Sequence, residues 1–131
     1  MDREELKRKF ILDDAAIRDS LEEVVNIALQ YCAVDTSGRV HLKQHDLSGK
    51  LRVKVVLAAK TIANQLDESL SAEITVADLS KATGLAENQA RARASEAVDE
   101  RFAEPTGRGA YRANPFRVAQ FLKGLAEGAK K

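Results

Sequence analysis

The chain holds a single cysteine, Cys32, no tryptophan and only two prolines in 131 residues. One cysteine excludes an internal disulfide and any Cys-x-x-Cys pair of the kind that binds zinc or cycles redox state. Aromatic residues make up 5% of the chain. A core must therefore come from Leu, Val, Ile and Ala, which favours helices. No apolar run approaches the roughly 20 residues that span a bilayer. Met1 to Phe10 is charged and lacks the apolar segment of a secretory signal. The expected setting is intracellular and cytoplasmic, with no membrane partner. A strong charge of one sign is also missing, since the net charge is +1. That balance hides an asymmetry: residues 1–47 carry 7 Lys/Arg against 10 Asp/Glu, and residues 48–131 carry 14 against 10. An anionic partner would be sought on the second part. With 44% hydrophobic and 31% charged residues, the chain can build a core. Its length suits one domain, or a small domain with an N-terminal extension.

Residues 2–10 predict a short charged helix with Leu6 and Phe10 one turn apart. Asp13 or Asp14 caps the next segment. From Ala15 to Tyr31, Ile17, Leu21, Val24, Val25, Ala28, Leu29 and Tyr31 recur at helical spacing. "DTSGR" (35–39) is turn chemistry, and "RVHLK" (39–43) alternates as a short strand does. Ser48 caps a helix over about 49–67. Its apolar surface is wide enough to be buried on more than one side, so it is the expected central helix. "AEIT" (72–75) is a strand candidate. Thr75 then caps a helix over 76–83 that closes at Gly84, and a second helix runs from Glu87 to Glu100. "RFAE" (101–104) and "AYRAN" (110–114) read as strands around the loop "PTGRG" (105–109). Asn114 followed by Pro115 starts a last helix, 115–127.

The order helix, short strand, helix, tight turn, helix, strand, loop, strand, helix resembles the winged helix-turn-helix superfamily of DNA-binding proteins. The carrying residues are "ITVADLSKATGLAENQARARASEAV" (74–98) and "RFAEPTGRGAYRA" (101–113). Leu79 and Ala82 match the inward positions of the first helix, and Gly84 and Leu85 match the turn. Ala90, Ala94 and Val98 match the inward face of the second helix. The resemblance covers about two thirds of the chain. It implies a mainly α fold with a small β-hairpin wing: an N-terminal helical extension at 1–47, then a winged helix-turn-helix domain at 48–131. One position departs from the pattern. Ala86 stands where Ser or Thr often caps the second helix, which forgoes roughly 0.5–2 kcal/mol and one phosphate contact.

The resemblance further implies that helix 87–100 enters the major groove, leading with its N-terminal side chains. Asn88, Gln89, Arg91, Arg93 and Ser95 are then the expected DNA-contacting residues. Arg pairs bidentately with guanine, and Asn or Gln with adenine. Arg108 at the wing tip, Arg112 on the returning strand and Lys81 on the first helix would hold the backbone. The ordinary alternative for Arg91 and Arg93 is a solvated pair of residues tied to Glu87 and Glu96. Glu96 is the awkward residue, able to accept from cytosine or to repel a phosphate.

No catalytic signature accompanies these residues, and the expectation is a protein that is not an enzyme. His41, His45, Asp46 and Cys32 do not share a helical face, so neither a metal nor a cofactor is expected. Cys32, at an apolar helix end, reads as a small core residue. The N-terminal apolar stripe either packs on the central helix or pairs with a second chain. A homodimer suits paired half-sites. The leading expectation is thus a transcriptional regulator on double-stranded DNA, with any effector unidentified. The runner-up is a winged-helix module for protein–protein assembly. Its argument is that residues 87–112 balance five Arg against five Asp/Glu. RNA binding by the same fold comes third.

Overall fold

Among the described residues six helices and five short strands follow one another. They are α1 (Arg3–Phe10), α2 (Leu21–Ala28), β1 (Cys32–Val34), β2 (Val40–Leu42), α3 (Gly49–Leu66), β3 (Ile74–Thr75), α4 (Val76–Thr83), α5 (Glu87–Asp99), β4 (Ala103–Gly107), β5 (Ala110–Ala113) and α6 (Pro115–Ala129). The structure is a computed structural model that describes residues 2–10, 21–44 and 46–129. The predicted caps Asp13 and Asp14, residues 15–20 of the predicted second helix, His45 and the Lys130–Lys131 tail lie outside the described residues. The described residues are mostly helical, with two small antiparallel sheets.

The punctuation residues sit where local chemistry puts them. Ser48 Oγ accepts from Leu51 N at 3.2 Å to cap α3, and Thr75 Oγ1 accepts from Asp78 N at 3.2 Å to cap α4. Gly84 ends α4 at φ +76, with its N–H donating to Ser80 O. Asn114 Oδ1 accepts from Phe116 N at 3.1 Å and opens α6. Ala86 precedes α5 without a side-chain cap.

Helix α3 runs through the middle. Val53, Val55, Val56, Leu57, Ala58, Ala59 and Ile62 are buried along it. It meets α4, α5 and, through β5, the β3–β5–β4 sheet, and it also meets α2, β1, β2 and α6. Val24, Ala28, Tyr31, Cys32, Val40 and Leu42 share one core with α3, so residues 21–42 pack onto the central helix. Lys60 sits among these apolar neighbours, 9% exposed, with Nζ donating to Gly38 O at 3.1 Å.

Three details differ from the sequence reading. The second helix stops at Ala28 rather than Tyr31, and Cys32 belongs to strand β1, not to a helix end. β1 pairs antiparallel with β2, Cys32 opposite Leu42 and Val34 opposite Val40. Asp35 closes this hairpin: Oδ1 accepts from Ser37 N at 2.9 Å and Arg39 N at 3.1 Å, while Oδ2 lies 2.8 Å from His41 Nε2. Burial pushes the Cys32 thiol up to about 11, so it behaves as a small apolar group. The strand after α5 starts at Ala103, because Arg101 and Phe102 are spent on ending the helix. β4 then runs to Gly107, so the predicted loop 105–109 shrinks to Arg108 and Gly109. Pro105 fits because β4 lies at the edge of the sheet, where a missing N–H costs no ladder bond.

The α4–α5 turn is fixed from several sides. Arg52 Nη1 of α3 donates to Thr83 O at 2.8 Å, and Ser80 Oγ donates to Leu85 O at 2.5 Å. Leu85 lies against Gly49 at the start of α3. A Cβ on Gly84 would have room, its nearest neighbour being Arg52 Nη1 at 3.9 Å. The cost of Gly84→Ala is therefore the backbone cost alone, about 1–2 kcal/mol, read as a lowered urea midpoint with an unchanged m-value.

Candidate nucleic-acid interface

Helix α5 buries Ala90, Ala94 and Ala97 and leaves Asn88, Gln89, Arg91, Ala92, Ser95 and Asp99 exposed. Small inward residues let its backbone approach α3 and α4 closely. At about 100° per residue, Asn88, Ala92, Ser95 and Asp99 form the outermost stripe, flanked on one side by Arg91. Arg91 and Arg93, two residues apart, diverge by about 160° around the axis. Arg93 Nη2 pairs with Glu96 Oε1 at 3.2 Å, and the Arg93 stem passes the start of α3 near Gly49. Such an i,i+3 pair is worth only about 0.2–0.5 kcal/mol, so it orients both side chains without locking them. Among the described residues Arg91 has no ion-pair partner.

Just past the end of α5, Glu100 is drawn toward α3 while Asp99 stays exposed. Glu100 is paired by Lys50, and by Lys54 at 2.5 Å, both from α3. Lys54 Nζ also lies over the rings of Phe102 and Phe121, 5.4 and 5.8 Å from their centroids. Hydrogen bonds from Lys50 and then Lys54 hold the Glu100 carboxyl below its ordinary range. A carboxyl depressed on folding stabilises the fold above its unfolded pKa, and that contribution disappears as pH falls through the folded value. Glu100→Gln should therefore be less stable than the parent at neutral pH. The difference should close in acid, as followed by urea midpoints across that range.

The hairpin tip is anchored beside α4: Val76 N donates to Gly109 O at 2.8 Å, and Gly109 adopts φ +67. Arg108 projects from this two-residue tip and is exposed. Arg112 lies directly opposite Glu104 in the ladder, and its Nε donates to Glu104 Oε1 at 2.5 Å. It borders a cleft with Thr61 and Asn64 on α3. Asn64 is 15 residues beyond Gly49, or roughly 20 Å along the helix. Arg93 and Arg112 therefore mark opposite ends of α3, and the four arginines of the predicted surface do not gather on one face.

Lys81 is exposed on α4 and borders a cleft of about 440 Å³ with Arg39, His41 and Asp78. Arg39 was missing from the sequence-predicted set. The only signal for it is an arginine beside a turn glycine, and its neighbour across the cleft is 42 residues away. Asn88, Gln89 and Arg91 thus share the leading half of α5, with Ser95 one turn further on, while Lys81 and Arg39 meet at a separate cleft beside α4.

Among the described residues no three His, Cys, Asp or Glu side chains gather in a way that could hold a metal ion. No helix there is long and apolar enough to cross a membrane. Comparison with protein-family models, curated proteins and solved structures returns no match for this chain.

Proposed function

We propose that the protein binds double-stranded DNA through a winged helix-turn-helix, as a transcriptional regulator without catalysis. The observation that carries this reading is the polarity of α5. Its leading turns expose Asn88, Gln89 and Arg91, while Glu100 at its far end is drawn to Lys50 and Lys54. A helix so arranged offers hydrogen-bonding side chains to base edges and draws Glu100 away from phosphates, while Asp99 stays exposed at its trailing end. Arg108 at the hairpin tip, with Lys81 and Arg39 beside α4, would supply backbone contacts. Arg93, tied to Glu96, and Arg112, tied to Glu104, take a lesser part. Two such chains as a homodimer would read paired half-sites.

The test on the wing is Arg108→Ala in duplex titrations at several salt concentrations. Affinity should fall on every sequence alike, and the log–log salt slope should flatten by about one. An unchanged slope would remove the wing from the interface.

A second reading, a module for protein–protein assembly, has its own support. Ion pairs neutralise Arg93 and Arg112, and the outermost stripe of α5 has small, uncharged Ala92 and Ser95 in its middle. Failure to bind DNA at low salt would favour it.

A further inference from the structure

Thr61, in the second half of α3, is 3% exposed, and its Oγ1 is buried without a hydrogen-bond partner among the described residues. Helical threonines commonly return the hydroxyl to the carbonyl one turn back, as Thr83 Oγ1 does to Leu79 O at 2.7 Å. Thr61 does not, and an unmade buried hydrogen bond is costly. The residue borders a cleft of about 670 Å³ between α3, the end of α5, strands β4 and β5 and the start of α6.

Arg101 lines the same cleft and is strained. Its N–H donates to Val98 O and that of Phe102 to Ala97 O, both at 2.9 Å, which makes Arg101 the left-handed residue of a Schellman turn. It adopts φ +64, the one positive φ outside glycine among the described residues. Glycine would close this turn without strain, so the backbone gains nothing from an arginine here. The guanidinium has no ion-pair partner among the described residues. Arg112 and Glu104, also on the cleft wall, are spent on each other, which leaves Arg101 as the charge that is not neutralised. The start of α6 faces the cleft as well. Its first amides are engaged by Asn114, so it contributes only the positive end of its dipole. Ala72, Val98 and Phe116 supply apolar wall, and Phe116 is 41% exposed.

We propose that this cleft binds a small organic monoanion, a carboxylate joined to a short apolar or aromatic body. Arg101 takes the carboxylate, the Thr61 hydroxyl completes its hydrogen bonding on the ligand, and the body rests against Val98 and Phe116. The site joins the end of α5 to the hairpin, and it stands whether or not the chain binds DNA.

The test is titration of the full ¹⁵N-labelled chain with benzoate, and in parallel with inorganic phosphate, followed by amide shifts. Benzoate should give saturable shifts at Thr61, Gln65, Arg101 and Phe116, and phosphate much weaker ones. Arg101→Gly removes the guanidinium and the backbone strain together, so Tm should rise while benzoate affinity falls at least about tenfold. Thr61→Val keeps the shape and should weaken binding severalfold. Absence of saturable shifts, equal response to phosphate, or undiminished binding by Arg101→Gly would each overturn the proposal.

Discussion

Leu79→Ala should lower the unfolding free energy by about 2–5 kcal/mol, the largest stability loss expected from any single change in the α4–α5 pair. Leu79 is fully buried on α4. Its neighbours in the common core include Ala90 and Ala94 of α5 and the valines of α3. These cannot refill the space, because the fully buried positions of α5 are all alanines and its distance from α3 is already set by their size. The loss is thus expected toward the upper part of that range. For a domain whose total stability is about 5–15 kcal/mol, it separates a folded protein from a marginal one. Urea unfolding followed by far-UV circular dichroism checks it. A loss below about 1 kcal/mol would mean that α4 packs more loosely than its burial indicates.

Arg91→Ala should weaken binding to a preferred duplex by about 1–3 kcal/mol, which is roughly 5- to 150-fold, and should relax preference at one base position. The expectation follows from placement. Arg91 is exposed on the leading half of α5, without an ion-pair partner among the described residues. Arg93 serves as the internal control. It is paired with Glu96 and turned about 160° away from Arg91 around the axis, so Arg93→Ala should do less. Selection from a randomised duplex pool, run on both variants, reads the two effects separately. Equal effects on preference would mean that the helix docks with a different face.

Much of the architecture was legible because its signals are local. Ser48, Thr75, Gly84 and the Asn114–Pro115 pair each act on amides within a few residues, and all four punctuate helices in the structure. What stayed illegible depends on distant partners. β1 is three residues long and exists because it pairs with β2 and packs on α3. Arg101 gives no sign of positive φ, since arginine is not a turn-forming residue. Glu100 ends the predicted helix 87–100 in the sequence; its neutralisation comes from lysines about 50 residues upstream. The candidate site divides the same way. Asn88, Gln89 and Arg91 follow from helical periodicity alone. That Arg39 joins Lys81, and that Arg112 turns to Glu104 at the other end of α3, is set by tertiary placement.

The central claim is that this chain binds DNA, and fluorescence anisotropy with a random-sequence duplex at two salt concentrations tests it most directly. With Arg39, Lys81 and Arg108 each neutralising one phosphate, the log–log slope should be about −2.7, so a fourfold rise in salt should weaken binding roughly 40-fold. Binding at low salt with that steep decline is the predicted result; no binding even at low salt would contradict the account.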